Sequence, residues 1–219
     1  MNAIQLSHIN KSFGDFAIRD LCLEVPSGTI CGMVGENGAG KSTTIRLLMG
    51  ALRPDSGSAR VLGTDVSSPE FRAVKEDIGV VLDEAYFPES LNAVQVGKIM
   101  AATYRQWDQG LYDGYLKRFD LPSSKQFKDF SRGMRMKLAI AVALSHQPKL
   151  LVLDEATAGL DPIVRDKVLD LFNEFTREET RNGGVRARVK RDLAPAGFRM
   201  EKPTVEDVVL FLVKGAKNR

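Results

Sequence analysis

The stretch Gly-Glu-Asn-Gly-Ala-Gly-Lys-Ser-Thr at residues 35–43 decides the fold class of this chain. It fits G-x-x-x-x-G-K-S/T, with Gly35 and Gly40 at the fixed glycines, then Lys41 and Ser42. Asn37, Gly38, Ala39 and Thr43 complete it. In such a loop, backbone N–H groups close around a β-phosphate because glycine has no Cβ to block the approach. The lysine ammonium reaches the β- and γ-phosphates, and the hydroxyl of Ser42 suits Mg²⁺. Residues 29–34 read as a strand entering the loop. Residues 43–49 read as the helix leaving it, its N-terminal dipole aimed at the anion. The stretch predicts a site for a nucleoside triphosphate.

A second nucleotide signature lies downstream. Leu150, Leu151, Val152 and Leu153 form an apolar run that ends in Asp154 and Glu155. As a strand beside the phosphate loop, it puts Asp154 where a carboxylate holds Mg²⁺ through water, and Glu155 where one polarises an attacking water as general base. Between the two signatures, Phe-Ser-Arg-Gly-Met at residues 130–134 opens an amphipathic helix. Ser131 and Gly133 there have two readings: an anion site at a helix N-terminus, or an ordinary serine N-cap with no ligand.

Further out, residues 4–9 and 16–25 are β-prone, separated by a turn at 11–15, and residues 58–62 and 78–82 read as further strands. The unbroken apolar run at 78–82 is that of a strand buried on both faces. From 91 to 144 the pattern turns helical. Asp161 and Pro162 open another helix, the acid as N-cap and the proline in the first turn. With 219 residues, 43% hydrophobic and 27% charged, the chain suits one α/β domain, alone or with a small subdomain. A net charge of +3 is too small to imply nucleic acid. The cationic cluster of Arg177, Arg181, Arg186, Arg188, Lys190 and Arg191 lacks interleaved aromatics and reads as a solvated face. Cys22 and Cys31 read as reduced core residues with no partner ligands nearby. The histidines His8 and His146 read as surface residues. No apolar run approaches the roughly 20 residues of a membrane span, and the N-terminus lacks the pattern of a signal peptide. The expectation is a cytoplasmic protein that meets a membrane only through a partner.

The order of residues 35–43, Ser131-x-Gly133, the 150–155 run and Ala-Gly-Leu-Asp at 158–161 resembles that of an ATP-binding cassette ATPase, most closely the ATPase subunits of ABC-2-type bacterial exporters. The resemblance implies an α/β fold: a P-loop NTPase core with a mostly parallel sheet, an N-terminal antiparallel β subdomain and an inserted α-helical subdomain. It implies a cassette over residues 1–179, with the helical part at about 88–148, and a C-terminal remnant at 180–219. The implied ligands are ATP and Mg²⁺. Lys41 and Glu155 would be catalytic, and Ser42, Asp154 and Asp83 would lie at the metal. Phe13 resembles the aromatic that stacks on adenine. Ser131 and Gly133 resemble the contacts to the γ-phosphate held by a second subunit, and Asp161 the residue that couples the two sites. The implied partners are a second ATPase, identical or different, and a membrane-spanning permease. No nucleic acid is expected.

The pattern also departs from that family. Asp83 and Glu84 stand where a Gln that senses Mg²⁺ and water is usual, which leaves the role of Asp83 open. Arg132 and Met134 replace residues of the usual Leu-Ser-Gly-Gly-Gln, and Ala156 replaces a proline. After residue 179 the family has an apolar strand ending in a switch His. Here Val185, Ala187 and Val189 alternate with Arg186, Arg188 and Lys190 instead, as in an edge strand. Residues 201–211 resemble the end of the same ATPases, so a block of several tens of residues is missing between about 179 and 184. The main expectation is the ATP-driven subunit of an exporter. The alternative is an ATP-gated binding module that hydrolyses poorly for want of the His.

Overall fold

The computed structural model describes residues 2–34, 38–82, 87–154 and 208–213, together with Val168 and Leu171. The chain starts with a long antiparallel hairpin of β1 (Asn2–Phe13) and β2 (Phe16–Pro26). β3 (Ile30–Val34) leads towards the phosphate loop, and α1 (Lys41–Leu48) leaves it. β4 (Ser56–Val61) and the short β5 (Thr64–Asp65) complete a sheet of order β2-β1-β4-β5. α2 (Phe71–Val74) then precedes β6 (Ile78–Val81). The predicted helical region holds α3 (Ala93–Thr103), α4 (Gln109–Arg118) and α5 (Arg132–Ser145). β7 (Leu150–Asp154) and β8 (Val208–Val213) close the list of described elements.

The second sheet has the order β3-β8-β7-β6. β6 and β7 pair in parallel, and β8 is antiparallel to both β3 and β7. It follows that β3, β7 and β6 share one direction and β8 alone runs against them. β8, at the end of the segment that reads as a tail, thus lies in the middle of the sheet, between the strand entering the phosphate loop and the strand ending in Asp154.

β7 separates two cores. Leu150 and Val152 pack on one face with Ile45, Leu47 and Leu48 of α1 and with Ile4, Leu6 and Ile9 of β1. Leu151 and Leu153 pack on the other with Leu138, Ile140 and Val142 of α5 and with Val168 and Leu171. This period-two division is why the strand is apolar at every position. Burying each such side chain contributes about 1.5–3 kcal/mol.

The helical part is fixed by polar groups at its ends. Asn92 caps α3 in a reciprocal capping box with Gln95. Asp108 caps α4 through the Leu111 N–H, and the Asp108 N–H donates to the Ser145 carbonyl at the end of α5. Inside, the buried Tyr112 hydroxyl donates to the Ala93 carbonyl at 2.7 Å, joining α4 to α3. Burial pushes its phenol well above the ordinary range.

His146 corrects the sequence reading. It is not at the surface but 1% exposed. Its ring stacks on Tyr104 with centroids 4.1 Å apart, and its two nitrogens lie 3.3 Å from the carbonyls of Val142 and Ile78. The neutral ring donates its single N–H to one of those carbonyls, which offsets part of the cost of burying it. Desolvation holds the imidazole pKa below its ordinary value, against the pull of the two carbonyls and of Asp77, itself paired with Lys149 at 2.8 Å. Between the folded and unfolded pKa values the unfolded chain binds more protons, so acid favours unfolding. The contribution is complete above the ordinary His pKa of about 6.5 and is lost as pH falls below it. Thermal melting should therefore be flat from about pH 8 to 7 and fall below about 6.5. The slope in that window should disappear in His146→Gln, whatever that variant's absolute stability. An unchanged slope would contradict a buried neutral ring.

Candidate functional site

The phosphate loop is described from Gly38 onward; Gly35 and Asn37 lie outside the described residues. Gly38 and Gly40 take φ values of 86° and 98°, a region that side chains disfavour. At Gly40 space is tight as well, since a Cβ would meet Phe16 Cζ at 3.1 Å and Ile18 Cγ1 at 3.4 Å, so those side chains would have to give way by a few tenths of an ångström. Gly40 is the N-cap of α1 and offers no side-chain cap. The first N–H groups of α1 are therefore not capped by it, which is the arrangement an anion exploits. Thr44 ties the loop to the helix, its N–H and hydroxyl both donating to the Gly40 carbonyl at 2.8 and 2.9 Å.

Lys41, 7% exposed, is the first residue of the helix, beside the exposed Ser42 and half-buried Thr43. The Ser42 hydroxyl donates to Asp154 Oδ2 at 3.0 Å, across 112 positions of sequence. Asp154 is 7% exposed at the end of β7. Hydroxyl and carboxylate are thus hard oxygen donors meeting at a helix N-terminus, a set that suits Mg²⁺. A buried carboxylate is costly without a partner, and the bond to Ser42 offsets part of that cost.

Phe13 lies near the phosphate loop through Phe16. It is 45% exposed at the tip of β1 and stacks on Phe16 with centroids 6.5 Å apart. The Lys11 ammonium lies 5.4 Å from its ring centroid and is held by Asp55 Oδ1 at 2.6 Å. Bonds from Lys11 and from the Ser12 N–H keep the Asp55 carboxyl below its ordinary range. Phe16, which touches the Gly40 position, therefore joins the phosphate loop to an exposed aromatic ring. Phe16, Lys11 and Asp55 carry no motif that marks them in the sequence. Pairing of Phe13 with Phe16 across a two-residue turn was the available signal.

Ser131 is the N-cap of α5, and its hydroxyl accepts the Met134 N–H at 3.3 Å. Arg135 fixes the approach to that cap by donating to the Phe130 and Lys128 carbonyls, each at 3.2 Å, with its guanidinium over the Phe127 ring. Phe130 and α5 belong to the core on one face of β7, α1 to the core on the other. Among the described residues, no hydrogen bond joins Ser131 or Gly133 to residues 38–43. Asp83, Glu155 and Asp161 lie outside the described residues.

Cys22 brings a second correction. From the sequence it has no partner ligands nearby, yet His8 and Asp20 stand beside it on the β1–β2 hairpin. Cys31 is half-buried in β3, and burial raises its thiol pKa. Among the described residues, no helix is long and apolar enough to cross a membrane.

The ABC transporter family model matches residues 18–158. The chain is 41% identical over 179 residues to the daunorubicin/doxorubicin resistance ATP-binding protein DrrA of Streptomyces peucetius. That alignment takes in 77% of this chain and 53% of that protein, so the chain spans about half of its relative's length. A solved ATP-binding subunit of an ABC transporter superposes with a TM-score of 0.72 at 25% identity, over 80% of this chain and 75% of that one. A dimeric ATP-binding cassette in a post-hydrolysis state, bound to ADP and phosphate, has the same fold, with a TM-score of 0.69 at 22% identity. The superposition covers 80% of this chain and 83% of that one.

Proposed function

As a member of the ABC transporter family of ATP-binding proteins, the chain is a nucleotide-binding cassette, and we propose that it couples ATP binding and hydrolysis to export through a separate membrane-spanning permease. The observation that carries this reading is the Ser42–Asp154 bond beside an α1 N-terminus that carries no side-chain cap. The proposed roles are as follows. Backbone N–H groups of residues 35–43 and the Lys41 ammonium hold the phosphates, while Phe13 stacks on the base. Ser42 and Asp154 would hold Mg²⁺, with Asp83 a further oxygen donor. Bound Mg²⁺ neutralises charge on the transferred phosphoryl group. Glu155 takes a proton from the attacking water, and Lys41 balances charge on the phosphate oxygens. The cassette covers residues 1–179, with its helical part at about 88–148, and takes in β8 (Val208–Val213) from the 180–219 remnant, since that strand pairs with both β3 and β7.

Two chains are needed to complete a site. Ser131 and Gly133 begin a helix on the face of β7 away from α1, which supports their contacting phosphate held by another subunit in a head-to-tail pair. Asp161 then couples the two sites. The place of work is the cytoplasmic face of the membrane, against the permease, which selects the cargo. Nucleic acid is not a partner in this reading.

An ATP-gated clamp with weak or no hydrolysis is the second reading, and the histidines favour it. His8 is exposed on β1. His146 bonds to the carbonyl of Ile78, the first residue of β6, whereas Asp154 is the last residue of β7, parallel to it. The two therefore sit at opposite ends of the sheet. Sedimentation with and without MgATP tests the pairing common to both readings. Nucleotide should shift the chain from monomer to dimer, and Ser131→Arg should keep it monomeric. A chain that binds MgATP yet stays monomeric would overturn the head-to-tail pair.

A further inference from the structure

We propose that His8, Asp20 and Cys22 form a binding site for one borderline divalent cation of the Zn²⁺ or Co²⁺ class, separate from the nucleotide site. The site is built on an irregularity of the β1–β2 hairpin. Leu6 pairs with Leu23, but the next register pair is Ile9 with Leu21, so Ser7 and His8 together stand against Cys22. This is the two-against-one count of a β-bulge, which re-aims a side chain. His8 and Asp20 take φ values of 51° and 50° on the two facing strands.

The irregularity is fastened from three sides. Asn10 donates from its amide to the His8 carbonyl at 3.0 Å and accepts the Asp20 N–H at 2.9 Å. The His8 N–H donates to Cys22 Sγ at 3.3 Å. From β4, Gly57 presses so close that a Cβ there would lie 2.3 Å from the His8 carbonyl oxygen. These contacts hold the backbones that carry the three donors.

The donors converge. His8 Nδ1 and Asp20 Oδ1 are 2.7 Å apart, and one ligand atom from each of the three residues lies within 4.8 Å of the others. A tetrahedral zinc ion with bonds of about 2.0–2.3 Å needs donors roughly 3.3–3.6 Å apart. Side-chain rotations of about 1 Å supply that change. Imidazole, carboxylate and thiolate together select zinc-like ions; Mg²⁺ and Ca²⁺ prefer oxygen alone. His8 and Asp20 are exposed, with side chains 75% and 72% accessible, so the ion has an open path. On binding, the Cys22 thiol proton passes to solvent and the imidazole keeps its single proton on Nε2, leaving neutral Nδ1 and a thiolate on the metal. Water fills the fourth position.

Titrating Co²⁺ into the full chain without nucleotide tests the site. One equivalent should bind, with tetrahedral d–d absorption and a near-ultraviolet thiolate-to-cobalt band that Zn²⁺ bleaches. Cys22→Ser should abolish that band and Cys31→Ser should leave it. His8→Ala, which alters only an exposed side chain, should weaken binding by about tenfold or more. Retained MgATP binding shows that each variant is folded. No saturable thiolate band, or one that survives Cys22→Ser, would overturn the proposal, as would unchanged affinity in His8→Ala.

Discussion

Lys41→Ala is expected to weaken MgATP binding by about ten- to a hundredfold while the chain stays folded. A hydrogen bond to a charged group is worth about 1.5–3 kcal/mol, and each 1.4 kcal/mol is a factor of ten. Lys41 stands at the first position of α1 and is 7% exposed, so water screens its ammonium less than it would a surface lysine. Alanine is the best helix former, which protects α1 itself. Competition with a fluorescent nucleotide measures the loss, and circular dichroism checks the fold. Affinity within twofold of the parent chain would mean that the phosphates are held elsewhere.

Glu155→Gln should separate binding from chemistry. The amide has nearly the same shape as the carboxylate but takes no proton from water, so steady-state phosphate release should fall by about 10²- to 10⁴-fold. MgATP affinity should stay close to that of the parent chain, because the proposed grip lies at Lys41, Ser42 and Asp154. The nucleotide-dependent dimer should then last longer. If the parent chain already releases phosphate no faster than Glu155→Gln, the clamp is the correct reading and Glu155 is not acting as a base. The contrast with Lys41→Ala is informative: one variant loses affinity, the other turnover.

How much of this was legible in the sequence follows from what each feature depends on. The glycines were readable because a left-handed backbone packed closely on Phe16 favours glycine at Gly40. β7 was readable because packing on both faces demands an unbroken apolar run, and Leu150–Leu153 are 0–1% exposed. His146 was misread because its neighbours Gln147 and Pro148 suggest a surface turn. Its burial depends on a carbonyl 68 positions away and on the Tyr104 ring, neither of which is local. Cys22 was misread for a related reason: its neighbours His8 and Asp20 meet it through the register of the hairpin, which composition does not encode. β8 shows the same limit. Residues 201–211 read only as the end of such an ATPase, not as carrying a strand between β3 and β7 that runs against both.

The most direct measurement is calorimetric titration of MgATP into the folded chain. A saturable heat at one nucleotide per chain is the expected result, given the glycine-lined turn at 38–40, Lys41 and the Ser42–Asp154 pair. Well-folded protein that gives no saturable heat would contradict nucleotide binding at this site, and with it every role assigned to these residues.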